Sequence, residues 1–301
     1  MLSPIIAKGI DPAFHADMTD ATYRSATGLS QSSIKEFLVS PAHYLASTEE
    51  KREPTKAMNF GSAFHANMLA EEPTDFYAVK QKVDGRSKAG KEYNDNFAIE
   101  NQGKIIIDQE EYDTILSMHE AVKAHPEASR LMRNLTHREV AVFGTFKAQA
   151  GEVRLKGLID GYSESGRYAI DLKSCEDASP AGFRKAIWDR RYDIQNCQYD
   201  WLLENADKKI DAFYFIAVEK KNPMAVGVYR INSVSLLKSC ENWVDAIERF
   251  SICQSTGKYP AYSDNPVEIT LWPTVLNKLK KLRLSLKMAQ FLYAHCLERT
   301  I

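Results

Sequence analysis

From Glu139 onward the apolar residues stop recurring every three or four positions and begin to alternate. Val140, Val142, Gly144 and Phe146 take one set of positions, and Ala141, Phe143 and Thr145 the other. Gly151 marks a turn, after which Val153, Leu155, Gly157 and Ile159 alternate with Arg154, Lys156 and Leu158. Past a second turn, Gly161 to Gly166, the run Tyr168 to Lys173 supplies a third segment. Residues two apart share a face of a strand, whereas helical neighbours lie three and four apart, so this change of period predicts a three-strand meander.

Such a sheet has an apolar face that other elements must cover. Upstream, Ser30 or Ser32 can cap a helix through Leu38 that Pro41 ends, and residues 46 to 57 read as a polar loop. Phe60 to Leu69 reads as a buried helix rich in small residues, and Tyr112, Ile115, Leu116 and Val122 are spaced for one helical face. Downstream, helices are expected near Ala181 to Trp188, Ile194 to Glu204 and Val234 to Ser255, with strands at Phe213 to Val218 and Val226 to Ile231. The expected architecture is an α/β core in which a central mixed sheet, the meander plus the later strands, is flanked by helices. Residues 1–28 are expected to form an N-terminal arm, 29–265 the core domain, and 266–301 a basic helical tail. In that tail Leu276, Leu279, Leu282 and Leu286 lie among Lys278, Lys280, Lys281, Arg283 and Lys287.

Lysine and arginine number 39 against 40 acids, which excludes a general polycation, so any nucleic-acid contact must come from a local patch. One candidate is the stretch with Lys80, Lys82, Arg86, Lys88 and Lys91, opposed only by Asp84 and read as a loop kept mobile by Gly85 and Gly90. No apolar run reaches the ~18 residues of a membrane span. The five cysteines contain no C-x-x-C pair, so spacing indicates neither zinc nor an iron–sulfur cluster. A reduced, cytoplasmic setting is expected.

The chemistry concentrates in Lys156-Gly157-Leu158-Ile159-Asp160 and Ile170-Asp171-Leu172-Lys173. Two aspartates at the ends of neighbouring apolar strands would repel unless a cation lay between them. Hard oxygen ligands of this kind suit Mg²⁺, with Mn²⁺ able to substitute. Lys173 shares a strand face with Asp171, where an ammonium could orient a nucleophile and offset developing charge. The plainer alternative is that Asp160 closes a turn before Gly161 and Lys173 simply pairs with an acid.

This D-x(10)-D-x-K pattern follows Gly61-Ser62-Ala63-Phe64-His65 and precedes Gln195-Asn196-Cys197-Gln198-Tyr199. The set resembles the PD-(D/E)xK nucleases, and within them the RecE-type exonucleases. The likeness runs from about Thr22 to Pro260. It takes in Gly28-Leu29-Ser30-Gln31-Ser32, the stretch Asn59 to His65, the loop Gly85 to Lys91, and Tyr192-Asp193-Ile194-Gln195. It implies a restriction-endonuclease-like core. It further implies metal ligation by His65, Asp160, Asp171 and the Leu172 carbonyl, with Lys173 as catalytic lysine. Gln195 and Tyr199 would position the cleaved strand or the lysine. Glu139 matches an acid of the family and would hold a second metal or a water, or else is an ordinary strand-start residue. Arg86, Lys88 and Lys91 would contact DNA phosphates.

The activity implied is Mg²⁺-dependent 5′-to-3′ digestion of linear duplex DNA, leaving 3′ single-stranded tails for an annealing recombinase. A homo-oligomeric ring and a phage recombination role are implied with it. The alternatives are an endonuclease or single-strand nuclease of repair or defence, and a non-catalytic DNA-binding protein.

Overall fold

The computed structural model describes residues 13–50 and 53–269. The described residues up to Ala261 form one compact unit, and those from Tyr262 fall to a second. The helical tail expected over 266–301 lies, from residue 270 onward, outside the described residues.

In chain order the elements begin with β1 (Phe14–His15), α1 (Asp20–Ser25), α2 (Gln31–Val39), α3 (Pro41–Glu49) and α4 (Lys56–Leu69). Next come β2 (Tyr77–Lys80), α5 (Lys88–Glu100), β3 (Ile105–Asp108), α6 (Gln109–Ala124) and α7 (Pro126–Arg133). The expected meander follows as β4 (His137–Ala148), β5 (Gly151–Ser163) and β6 (Tyr168–Cys175). Last are α8 (Pro180–Arg190), α9 (Tyr192–Asn205), β7 (Ala212–Glu219), β8 (Val226–Tyr229) and α10 (Ser233–Thr256).

The main sheet has the order β1-β4-β5-β6-β7-β8 and is mixed: β6 and β7 run parallel, and every other neighbouring pair is antiparallel. Parallel neighbours need a crossover, which α8 and α9 provide. Two apolar cores result, one on each face. On one side Val140, Leu155, Phe213 and Phe215 pack against Phe37 of α2, Phe183 of α8, Leu202 of α9 and Phe250 of α10. On the other Ile170, Leu172, Ile216 and Val218 pack against Phe64 of α4, Ile115 of α6 and Leu131 of α7. Truncating a fully buried Phe37, Phe64 or Phe215 to alanine costs about 3–5 kcal/mol.

Four local expectations are corrected. Pro41 does end α2, but it also opens α3, so residues 41–49 are helical where a loop was expected from residue 46. The reason is the Ser-Pro pair: Ser40 caps the new helix by accepting from His43 N–H, and a proline in the first turn has no needed donor to lose. The basic stretch Lys80 to Lys91 is only partly a loop, because Ser87 caps α5 by accepting from Gly90 N–H at 3.0 Å. Gly90 is there for a close approach, since a Cβ would fall 2.0 Å from the Asp84 carbonyl oxygen. The second turn of the meander is shorter than Gly161 to Gly166, because β5 continues to Ser163. Finally, the described part of the arm is stitched to the sheet. β1 pairs with β4, and Lys156 Nζ donates to the carbonyls of Tyr23 (3.1 Å) and Ala26 (2.8 Å) at the end of α1.

Cys197 of α9 and Cys240 of α10 form a disulfide, Cα atoms 5.4 Å apart, a pairing that the odd cysteine count did not indicate. Among the described residues no helix is long and apolar enough to cross a membrane.

Candidate active site at a break in the sheet

Strand β5 does not keep one alternation along its length. Val153, Leu155 and Ile159 belong to the core beneath α9 and α10, whereas the backbone of Gly161 abuts Leu135 and Ile170 of the opposite core. The partner strand changes with it. Val140 pairs with Ile159 and Arg138 with Gly161, and between them Glu139 takes a left-handed backbone, φ 51°. Asp160 lies in this break. It is therefore inside a bent strand, and the turn-closing alternative does not hold.

On the other side, the ladder between β5 and β6 ends at Gly161 and Ile170, one position short of Asp160 and Asp171. A freed backbone N–H needs another acceptor. Leu172 N–H donates to Asp160 Oδ2 at 2.7 Å. The Leu172 carbonyl accepts from Nε2 of His65, brought by α4, at 2.9 Å, while His65 Nδ1 lies 3.5 Å from Asp160 Oδ2. Asp171 is 1% exposed and projects to the α9 side. Gln195 Nε2 donates to its Oδ1, and Lys173 Nζ forms an ion pair with its Oδ2 at 2.5 Å. The Tyr192 ring lies 4.8 Å from the same ammonium.

These groups set one another's charge. Burial disfavours the Asp160 anion, but His65 and the Leu172 N–H outweigh it and hold the carboxyl below its ordinary value. Burial pushes the Asp171 carboxyl up against the pull of Lys173, and the Asp160 charge adds to the rise. Burial likewise opposes the Lys173 ammonium, yet Asp171 and Asp160 keep it above the usual lysine value. Glu139 is pushed up by burial and then by Asp160, which places it beside the cluster.

The donor set, two buried carboxylates, an imidazole and a backbone carbonyl, fits a hard divalent cation in its chemistry. The arrangement is not a closed cage. Among the described residues no three His, Cys, Asp or Glu side chains are grouped to hold a metal; Asp171 is engaged by Gln195 and Lys173. Two oxygens there are buried without a hydrogen bond, Gln195 Oε1 and Asp171 Oδ2, the second of which is held by the Lys173 ion pair.

Residues 30–268 match the family described as a PDDEXK-like domain of unknown function, DUF3799. The chain belongs to that family. No curated protein matches it in sequence. Among solved structures, a "Putative exonuclease" from Eubacterium rectale is similar over 85% of this chain and 97% of its own, at 13% identity and a TM-score of 0.56. A phage related exonuclease from Haemophilus somnus 129PT is 15% identical over 65% of this chain and 94% of its own, with a TM-score of 0.29. The first likeness shows the fold: the PDDEXK-like domain has the mixed sheet and flanking helices of an exonuclease with a restriction-endonuclease-like core.

Within that domain the structure brings together His65, Asp160, Asp171, Leu172, Lys173 and Gln195, with Glu139 at the rim. Tyr199 stands one helical turn beyond Gln195 but is 4% exposed, and its ring rests on Gly157, where a Cβ would fall 2.8 Å away. It packs on β5 beside the site, where burial raises its pKa well above the usual tyrosine value and Asp171, Asp160 and Gln195 all act on its hydroxyl. Arg86, Lys88 and Lys91 are exposed on and before α5, and no hydrogen bond or ion pair of the described residues joins them to the cluster.

Two neighbours escaped the sequence reading. Tyr192 was legible only as part of a motif. Lys35 sits half-buried on α2, on the helical face of Gln31 and Leu38. Its ammonium lies 5.2 Å from the Tyr192 ring, and burial, then Lys173, pull its pKa down to about 8. A lysine next to Ile34 and Phe37 was the available signal.

Proposed function

We propose that this PDDEXK-like chain is a divalent-metal-dependent nuclease that digests linear duplex DNA from its 5′ ends. The observation that carries the reading is the pairing of Asp160 and Asp171 where the β5–β6 ladder stops, with Lys173 and His65 against them.

His65, Asp160, Asp171 and the Leu172 carbonyl would hold the cation. When bound, it supplies Lewis-acid neutralisation of the phosphodiester and favours ionisation of water. The chain's own contribution is positional. Gln195 fixes the Asp171 carboxylate by its Oδ1, and Tyr192 supports the Lys173 ammonium, so neither has to reorganise when substrate arrives. Lys173 places a positive charge where the scissile phosphate and the attacking water meet. Leu172 ties Asp160 to His65: its N–H holds Asp160 while its carbonyl accepts from His65. Mg²⁺ is the proposed metal, with Mn²⁺ substituting. The 5′-to-3′ polarity, the recombination role with an annealing partner, and a ring of subunits come from the RecE-type resemblance of the motifs.

The test is a time course on 5′-labelled and 3′-labelled linear duplex beside a covalently closed circle, with Mg²⁺ and with EDTA. Metal-dependent early release of the 5′ label, with the 3′ label kept and the circle intact, is expected. Cutting of the circle would make the chain an endonuclease instead. No cleavage with Mg²⁺, nor with Mn²⁺ in its place, would reduce it to a DNA-binding protein.

A further inference from the structure

A groove of about 1010 Å³ opens between α8 and the start of α10, on the side of the sheet that carries Asp171. Its floor is aromatic: Phe183 and Tyr229 stack with centroids 4.9 Å apart and planes 18° from parallel. On its wall stands Trp188, 74% exposed and free of any ring contact among the described residues. An exposed aromatic ring is a platform on which a nucleic-acid base can stack.

The charge around that ring says what covers it. Three cations of the two flanking helices line the groove, Arg184, Lys185 and Lys238, against one acid, Asp193, which Arg191 already holds at 3.2 Å. Asp189 takes Lys185 at 2.5 Å and Glu241 takes Lys238 at 2.8 Å. Arg184 has no acidic partner among the described residues, so it is the cation the groove offers to a phosphate. Arg230 turns its guanidinium to the Tyr214 ring of the opposite core, 5.4 Å from its centroid. Arg184 and Trp188 are four residues apart on α8 and so share one face. That spacing presents a flat ring and a free guanidinium to a single nucleotide, the base on one and the phosphate on the other. On the opposite wall α10 offers uncharged donors and acceptors, among them Ser235 and Asn242, suited to base edges. Stacking platforms beside a basic track are how single strands are bound without sequence preference.

The groove also adjoins the cluster of carboxylates. Phe183 in its floor is 6.1 Å from the Tyr192 ring, and Tyr192 is the ring beneath the Lys173 ammonium. One aromatic side chain therefore separates the groove from the catalytic lysine.

We propose that this groove is a single-stranded DNA subsite beside the carboxylate cluster, with a base stacked on Trp188 and a phosphate on Arg184. Its service to cleavage rests on the nuclease reading above. Binding of a single strand does not, and it is measured separately.

The experiment is fluorescence anisotropy of a labelled oligothymidylate titrated with the full chain in EDTA, where no cleavage interferes. Trp188→Ala is expected to weaken binding about tenfold, with Trp188→Phe restoring most of it. Arg184→Gln is expected to weaken it and to lower the slope of log affinity against log salt by about one. Unchanged affinity in Trp188→Ala and Arg184→Gln would overturn the proposal. So would a concentration-dependent dimer in sedimentation that Trp188→Ala abolishes while oligothymidylate binding stays intact, since the groove would then join two copies. Both variants alter exposed side chains of α8, and an unchanged Tm verifies the fold. Wild-type cleavage with Mg²⁺ is assayed in parallel: if it is absent while the anisotropy result holds, the nuclease reading fails and the single-strand site stands.

Discussion

Asp171 and Lys173 have to be understood together. For a carboxyl that is 1% exposed, burial and the second carboxylate both oppose the charge, and the ammonium 2.5 Å away favours it. Lys173→Ala is therefore expected to cost about 3–5 kcal/mol of stability, the range for a buried pair deprived of one partner. Adding Asp171→Asn should recover part of that loss, because the stranded charge disappears. Urea unfolding of the two single variants and the double one measures the coupling, and strict additivity would contradict it. Gly157 makes a different demand. It gives up its side chain so that Tyr199 can lie on the strand, and Gly157→Ala is expected to destabilise by about 1–3 kcal/mol through overpacking. A thermal melt with an unchanged Tm would refute that.

Among elements, β5 carries the most information, and the sequence made half of it readable. Its alternation from Val153 to Ile159 announced a strand, and the motif around Asp160 announced chemistry. The change of face at Asp160 was not visible, because it comes from the left-handed backbone of Glu139 on the neighbouring strand and from the end of the ladder with β6. Neither leaves a mark on β5 itself. Ser40-Pro41 shows the same limit in a helix: the pair is a stop for α2 and a start for α3, and only the cap to His43 reveals the second role. Lys35 was missed because an isolated lysine in an amphipathic helix reads as surface. Helix α9 supplies a tie that no motif reading would rank. Gln198 donates to the carbonyls of Leu29 (3.1 Å) and Lys156 (2.9 Å) and accepts from the indole N–H of Trp243 at 3.3 Å. It thus bolts the segment before α2, strand β5 and α10 to one side chain. Gln198→Leu leaves these buried groups without partners and is expected to cost about 2–4 kcal/mol in urea unfolding. A loss below about 0.5 kcal/mol would mean that the groups find other partners.

The whole domain explains why the cluster can exist. Two separate cores clamp the sheet from both faces, so a bend at Asp160 and an unpaired stretch of β5 and β6 are held in place without a continuous ladder. One face delivers His65 on α4, and the other delivers Gln195 and Tyr192 on α9. Residues on opposite sides of the sheet thereby meet at its one gap in pairing near the middle. The order of motifs along the chain was legible from the sequence. Their convergence was not, since it depends on the parallel crossover from β6 to β7 and on a helix packed from the far side.

The most direct check of this account is calorimetric titration of Mn²⁺ into the full chain and into Asp160→Asn, with cleavage of linear duplex followed in the same preparations. The account predicts that the wild type binds the ion, that Asp160→Asn binds at least about tenfold more weakly, and that its cleavage is lost while its Tm is kept. Equal Mn²⁺ binding by the two proteins, or undiminished cleavage by Asp160→Asn, would contradict the assignment of the metal and of the chemistry to this break in the sheet.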